Sequence, residues 1–196
     1  MCGSHYTIAR LPIGVVRGML VHMSSSNATS PDELLLPLVV SRDDARIEDD
    51  TIVRELAGPV VVVYQQRKKL LSKDDDLGEI TLGDLHDEAA ANFERATGEV
   101  ETRPMGGCVV PTLDGKIETS LLLNPRFCDQ VNEQLGGGEL LAIAACRGGL
   151  VLCTTHSGGE RNLYAIASIL LEEMGEEIAP GVILRRVSRE QWRAEV

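Results

Sequence analysis

The richest apolar stretch of the chain lies between Glu139 and Met174, and its polar breaks are few and orderly. Two apolar runs, Leu140 to Cys146 and Leu150 to Cys153, flank Arg147-Gly148-Gly149. That spacing predicts strand, tight turn, strand. A helix follows. Ser157 and Glu160 match the S-x-x-E capping box, and Leu163, Ile166, Ala167, Leu170 and Met174 then recur on one helical face before Gly175 stops it.

The same reading extends through the chain. Ser30-Pro31-Asp32-Glu33 is a second capping-box pattern with proline at the first helical position, and Pro37 keeps any helix there short. Leu38 to Val40 predicts a brief strand. Asp43 to Leu56 is charged, with Ile47, Val53 and Leu56 in a loose helical period that Gly58-Pro59 ends. Val60 to Tyr64 is a continuous β-branched run, as in a strand buried on both faces. Gln65 to Gly78 swings from basic to acidic and reads as a solvated loop.

Thr81 caps a helix whose inner face is Leu82, Leu85, Ala89, Phe93 and Ala96, closed by Gly98. Three strands are expected next, over Glu99 to Arg103, Gly107 to Leu113 and Lys116 to Leu123, the last two joined by an Asp114-Gly115 hairpin turn. Asn124-Pro125 opens a helix with Phe127, Cys128, Val131 and Leu135 inside, ended by Gly136-Gly137-Gly138. After the central hairpin and its helix, Val182 to Val187 predicts a final strand, and Ser188 and Gln191 a closing turn that carries Trp192.

From Thr81 the order is α-β-β-β-α-β-β-α-β. Hairpin connections dominate, so the expected class is α+β, a mainly antiparallel sheet with helices packed on one face. Three regions follow: residues 1–29 as a flexible segment or sequence ahead of a true start at Met19 or Met23, residues 30–79 as an N-terminal fragment with one buried strand at 60–64, and residues 80–196 as the main domain.

Leu36-Pro-Leu-Val-Val-Ser-Arg, Gly58-Pro-Val-Val-Val-Val-Tyr and Ile80-Thr-Leu-Gly-Asp-Leu-His-Asp-Glu-Ala-Ala-Ala-Asn-Phe, with the strand pair and late helix, together resemble the YtpQ-like proteins, a bacterial domain-of-unknown-function family. The resemblance runs from Leu36 to Trp192 and implies no catalytic residues. It departs at the N-terminus and at Gln65-Gln66, which follows the valine strand where an acidic residue is expected. The element order is also similar to that of small acidic secretion chaperones, a likeness of fold that does not fix function.

Charge narrows the classes. The 196 residues carry a formal net charge of -11, which opposes non-specific binding to nucleic acid. The apolar stretch from Thr7 to Met23 is broken by Arg10, Pro12 and Arg17, too short and too charged for a membrane span and without the apolar centre of a signal peptide. The five cysteines are odd in number and three sit in apolar runs, as buried reduced thiols of a cytoplasmic protein do.

Two candidate sites lie in the late loop. Ser157, Gly158 and Gly159 at a helix start, with Arg161, have the composition of an anion site, set against a plain capped helix whose Glu160 repels anions. Cys146, Cys153 and His156 hold the atoms for a metal or a thiol–histidine pair, but match no standard zinc spacing and lack a third orienting group. Asp84 with Asp87 or Glu88 reads as a solvated helix face, and His86 and His22 belong to no constellation. The expected function is a non-catalytic, protein-binding or self-associating module with no cofactor and no membrane contact. The competing class is a small hydrolase or an anion- or nucleotide-binding enzyme using the His156 to Arg161 loop.

Overall fold

The computed structural model describes residues 33–113, 117–175 and 177–195. The readings at residues 1–29, at Ser30-Pro31-Asp32 and at Asp114-Gly115 lie outside them. Among the described residues, ten strands form two antiparallel sheets. The first joins β1 (Leu36–Ser41), β3 (Val60–Gln66) and β2 (Val53–Ala57) in that order, with the short β4 (Lys69–Leu70) on β3. The second runs β10 (Gln191–Glu195), β9 (Ile183–Ser188), β7 (Leu140–Cys146), β8 (Gly149–Thr154), β6 (Cys108–Thr112), β5 (Glu101–Met105). Three helices, α1 (Leu82–Thr97), α2 (Pro125–Gln134) and α3 (Glu160–Met174), complete an α+β architecture. None of the described helices is long and apolar enough to cross a membrane.

The unbroken apolar run of β7 has a simple cause: every residue of it is buried. Leu141, Ile143 and Ala145 face Leu163, Ile166 and Ala167 of α3. Leu140, Ala142 and Ala144 face the other way, into a core with Phe127, Cys128 and Val131 of α2 and Phe93 of α1. Helices therefore lie on both faces of this sheet rather than on one. The larger core also takes Val39, Val60, Val62 and Tyr64 of the first sheet, so the two sheets share one interior. The brief strand expected at Leu38 to Val40 extends over Leu36–Ser41 as β1 and is buried like β3.

Three predicted elements take other forms. Asp43 to Leu56 is no helix, because its side chains compete for the backbone. The Asp44 carboxylate accepts from the Arg46 amide at 3.0 Å and the Thr51 hydroxyl from the Glu48 amide at 2.8 Å; β2 follows. Of the strand expected over Lys116 to Leu123, the described residues form no strand. Glu118–Leu123 form a 3-10 helix in which the buried Glu118 carboxylate accepts from the amides of Leu113 (3.0 Å) and Ile117 (3.1 Å). This helix lies beside the edge strand β1: the Ser120 hydroxyl accepts from the Val39 amide at 3.1 Å, and the Thr119 hydroxyl donates to Val39 O at 3.3 Å. An edge that would template aggregation is thereby covered. The closing turn after Ser188 is a short reversal into β10, whose Trp192 indole donates to Leu122 O at 3.0 Å.

Leu85, Ala89 and Phe93 face inward as expected, but Leu82 and Ala96 of α1 and Met174 of α3 are exposed, and the loop expected over Gln65 to Gly78 includes the end of β3 and the short β4. Thr81 and Asp84 form the α1 capping box, Asn124 caps α2 ahead of Pro125, and Gly98 and Gly175 end α1 and α3.

Candidate functional site

The chemistry-bearing side chains converge where the two sheets meet. Near the end of β3 stands Tyr64, fully buried, because its ring closes the shared core. Its hydroxyl reaches α1, where His86 Nδ1 lies 3.1 Å away, and the two rings meet edge to face with centroids 6.1 Å apart. His86 stands at this point because Leu85 and Ala89 turn inward and set the next position at the margin of the core. Burial and the Arg54 guanidinium hold the His86 ring below the ordinary imidazole range, against the opposing pull of Asp87 and Glu190. Burial likewise pushes the Tyr64 hydroxyl up, so both groups stay neutral near pH 7.

Beside His86 opens a cleft of about 300 Å³, with an adjoining hollow of about 140 Å³. Leu56 and Val62 from the first sheet, Leu123, and Val187 and Trp192 from the second line its apolar wall. Arg54, Glu55, His86 and Glu190 form its polar rim, and Asp87 and Arg189 line the hollow. Two other concavities are larger. One of about 870 Å³ is an open groove between α1 and α2, where Arg126 is engaged by Glu94 at 2.8 Å. The other, of about 590 Å³, lies beside Arg185, Arg186, Arg189 and Arg193. Its inner guanidiniums are taken by carboxylates: Arg186 by Asp129 at 2.7 Å, and Arg185 by Glu195 at 2.5 Å and by Glu139.

The residues singled out from sequence lie elsewhere. Ser157 does not cap α3. Its Oγ accepts from the Thr154 amide (3.1 Å) and the Gly159 amide (3.2 Å) and donates to Thr154 O (2.9 Å), so it is spent one turn upstream, and α3 starts after Gly159 without a side-chain cap. Gly158 is exposed with φ +71°, Gly159 is buried against Gly107, and Arg161 is exposed on the first turn. His156 is exposed and packs beside Gly138.

Cys146 and Cys153 do not meet. Cys146 pairs with Gly149 at the hairpin turn and Cys153 with Leu141 at the far end, roughly 15 Å along the strand at about 3.3 Å per residue. Cys153 instead faces Cys108 across β6 and β8. Cys128 is fully buried and its thiol is pushed up to about 12. Among the described residues, no group of three or more His, Cys, Asp or Glu side chains is placed to hold a metal ion.

Sequence reasoning missed the Tyr64–His86 pair because its members are 22 positions apart and belong to different elements. The one available signal was a histidine next to the inward face of a well-formed helix. In comparisons with protein-family models, with curated proteins and with solved structures, none matches the chain.

Proposed function

We propose that this chain is a YtpQ-like, cytoplasmic binding module without catalytic machinery, and that it engages a basic, apolar segment of a protein partner through the cleft at Trp192. One observation carries the reading: both sheets supply apolar wall to a single cleft whose rim holds Glu55 and Glu190 against Arg54, with Asp87 and Arg189 in the adjoining hollow. An aliphatic or aromatic side chain of the partner seats on Leu56, Leu123, Val187 and Trp192. A lysine or arginine beside it meets Glu190, and the -11 charge of the whole chain steers such a segment inward. The volume, about 300 Å³, stands at the lower end of ligand pockets and suits one anchoring side chain. His86, backed by the buried Tyr64 hydroxyl, serves as a neutral hydrogen-bonding part of the wall, since it is not set up to ionise near pH 7. Buried free thiols at Cys108, Cys128, Cys146 and Cys153 accord with a reducing compartment.

The sole tryptophan is a built-in reporter. Short peptides pairing Leu or Phe with Lys or Arg are expected to shift Trp192 emission, more weakly as salt rises. Glu190→Lys, at an exposed turn position, is expected to weaken the effect roughly tenfold by reversing one rim charge. Peptides that leave Trp192 unmoved, or that act equally on the variant, would remove the proposal.

A further inference from the structure

Cys108 and Cys153 are opposite partners on β6 and β8, and both side chains join the core beneath α3. The kind of pair follows from strand parity. The Gly106-Gly107 turn, with φ +57° and +82°, makes Met105 and Cys108 the closing pair of the β5–β6 hairpin, so the Cys108 amide and carbonyl face β5. On β8 the Thr155 amide donates to Glu139 O at 3.1 Å across to the β7 side, and Cys153, two residues earlier and opposite Leu141, has the same orientation. Neither cysteine therefore spends its backbone on the other. In such a non-hydrogen-bonded pair, Cα atoms lie about 4.5 Å apart and side chains are closest. That is inside the disulfide range of about 4.4–6.8 Å, near its short end.

We propose that Cys108 and Cys153 form a reversible redox pair, which hydrogen peroxide closes into a cross-strand disulfide fastening the β5–β6 hairpin to β8. β5 is the edge strand of the second sheet. Among the described residues, the register joins β6 to β8 through Cys108 with Cys153 and Val109 with Leu152. Beyond these, the Asn162 side chain donates to Gly106 O at 2.7 Å and the Cys108 thiol to Gly159 O at 3.3 Å. Local opening of this edge admits a small oxidant to two otherwise buried sulfurs.

The chemistry balances. Cys108 thiolate attacks one oxygen of the peroxide, the O–O bond breaks, and the sulfur is oxidised by two electrons to a sulfenic acid while the released hydroxide takes up a proton. The Cys153 sulfur then attacks Cys108, the S–O bond breaks, and the second hydroxide leaves as water with the Cys153 proton. Two thiols and one hydrogen peroxide give one disulfide and two waters. The order of attack has a local cause: the Cys153 thiol donates to Cys108 and holds it below the ordinary thiol range, while that bond and burial push Cys153 up.

The test uses the intact wild-type protein, oxidised under native conditions, alkylated in denaturant and cleaved after Lys and Arg. Arg147 separates Cys153 from Cys146 in the digest. The expected product is the Cys108 peptide joined to the Cys153 peptide, lost on treatment with dithiothreitol, with amide exchange in β5 and β6 slowed roughly tenfold before reduction. Two alkylated thiols after peroxide, sulfinic acid without a link, or a bridge through Cys2, Cys128 or Cys146 would each overturn it.

Discussion

His86 is the residue whose surroundings make the sharpest claim. Its ring is desolvated, faces Arg54, and meets the Tyr64 hydroxyl on Nδ1, while Asp87 and Glu190 pull the other way without prevailing. Its folded value lies below the ordinary 6.5, so the unfolded chain takes up the proton first. Stability from this group is therefore complete above about pH 6.5 and falls as pH drops below it. Ring-proton NMR is expected to show His86 titrating below a free imidazole. His86→Gln, which keeps a partner for Tyr64 but cannot titrate, is expected to flatten the fall in melting temperature between about pH 7 and pH 5. A His86 ring that titrates at or above the free value would contradict the burial argument. No local pattern could have found this pair, because the Tyr64 hydroxyl and His86 meet only after two elements pack. Thr81 with Asp84, by contrast, was legible, since a capping box involves neighbours in the chain.

At the scale of elements, legibility followed how local the deciding interaction was. β3, β7, β8, α1 and α2 were readable because their apolar runs, caps and stops lie within each segment. The 3-10 helix was not, because Glu118, Thr119 and Ser120 find their use against Leu113, Val39 and Arg147, partners far from any local period. The start of α3 failed for a related reason: Ser157 has two competing backbone uses and the fold takes the upstream one.

What anchors α3 instead is glycine packing. A Cβ at Gly159 would stand 2.4 Å from Gly107 O and 2.8 Å from Cys153 Cβ, whereas one at Gly158 meets nothing within 4 Å. Gly159→Ala is therefore expected to lose about 2–3 kcal/mol by overpacking. Gly158→Ala loses only about 1 kcal/mol, from its positive φ. Urea unfolding of both variants checks the order, and equal losses would show that the approach of β6 to α3 is not tight.

For the whole molecule the question is whether residues 30–79 and 80–196 act as separate units. The first sheet lays Val39, Val60, Val62 and Tyr64 on the same core that receives Leu85, Phe93, Leu121 and Trp192. Polar groups cross the boundary too: the buried Asn92 side chain donates to Leu35 O at 3.0 Å, and Ser120 accepts from Val39. Separating the halves would uncover the shared apolar core and leave several buried polar groups without partners, each costing about 1–3 kcal/mol. Neither half can then melt while the other stays folded, and the chain should unfold in one step. Trp192 emission reports the core between the halves, and far-ultraviolet circular dichroism reports both sheets and the helices. Their denaturation curves are expected to coincide in midpoint and slope. A circular dichroism change that precedes the tryptophan change would mean that the first sheet detaches on its own. The cleft built from both sheets would then open before the protein unfolds, and its binding would be lost at denaturant concentrations where most of the secondary structure remains.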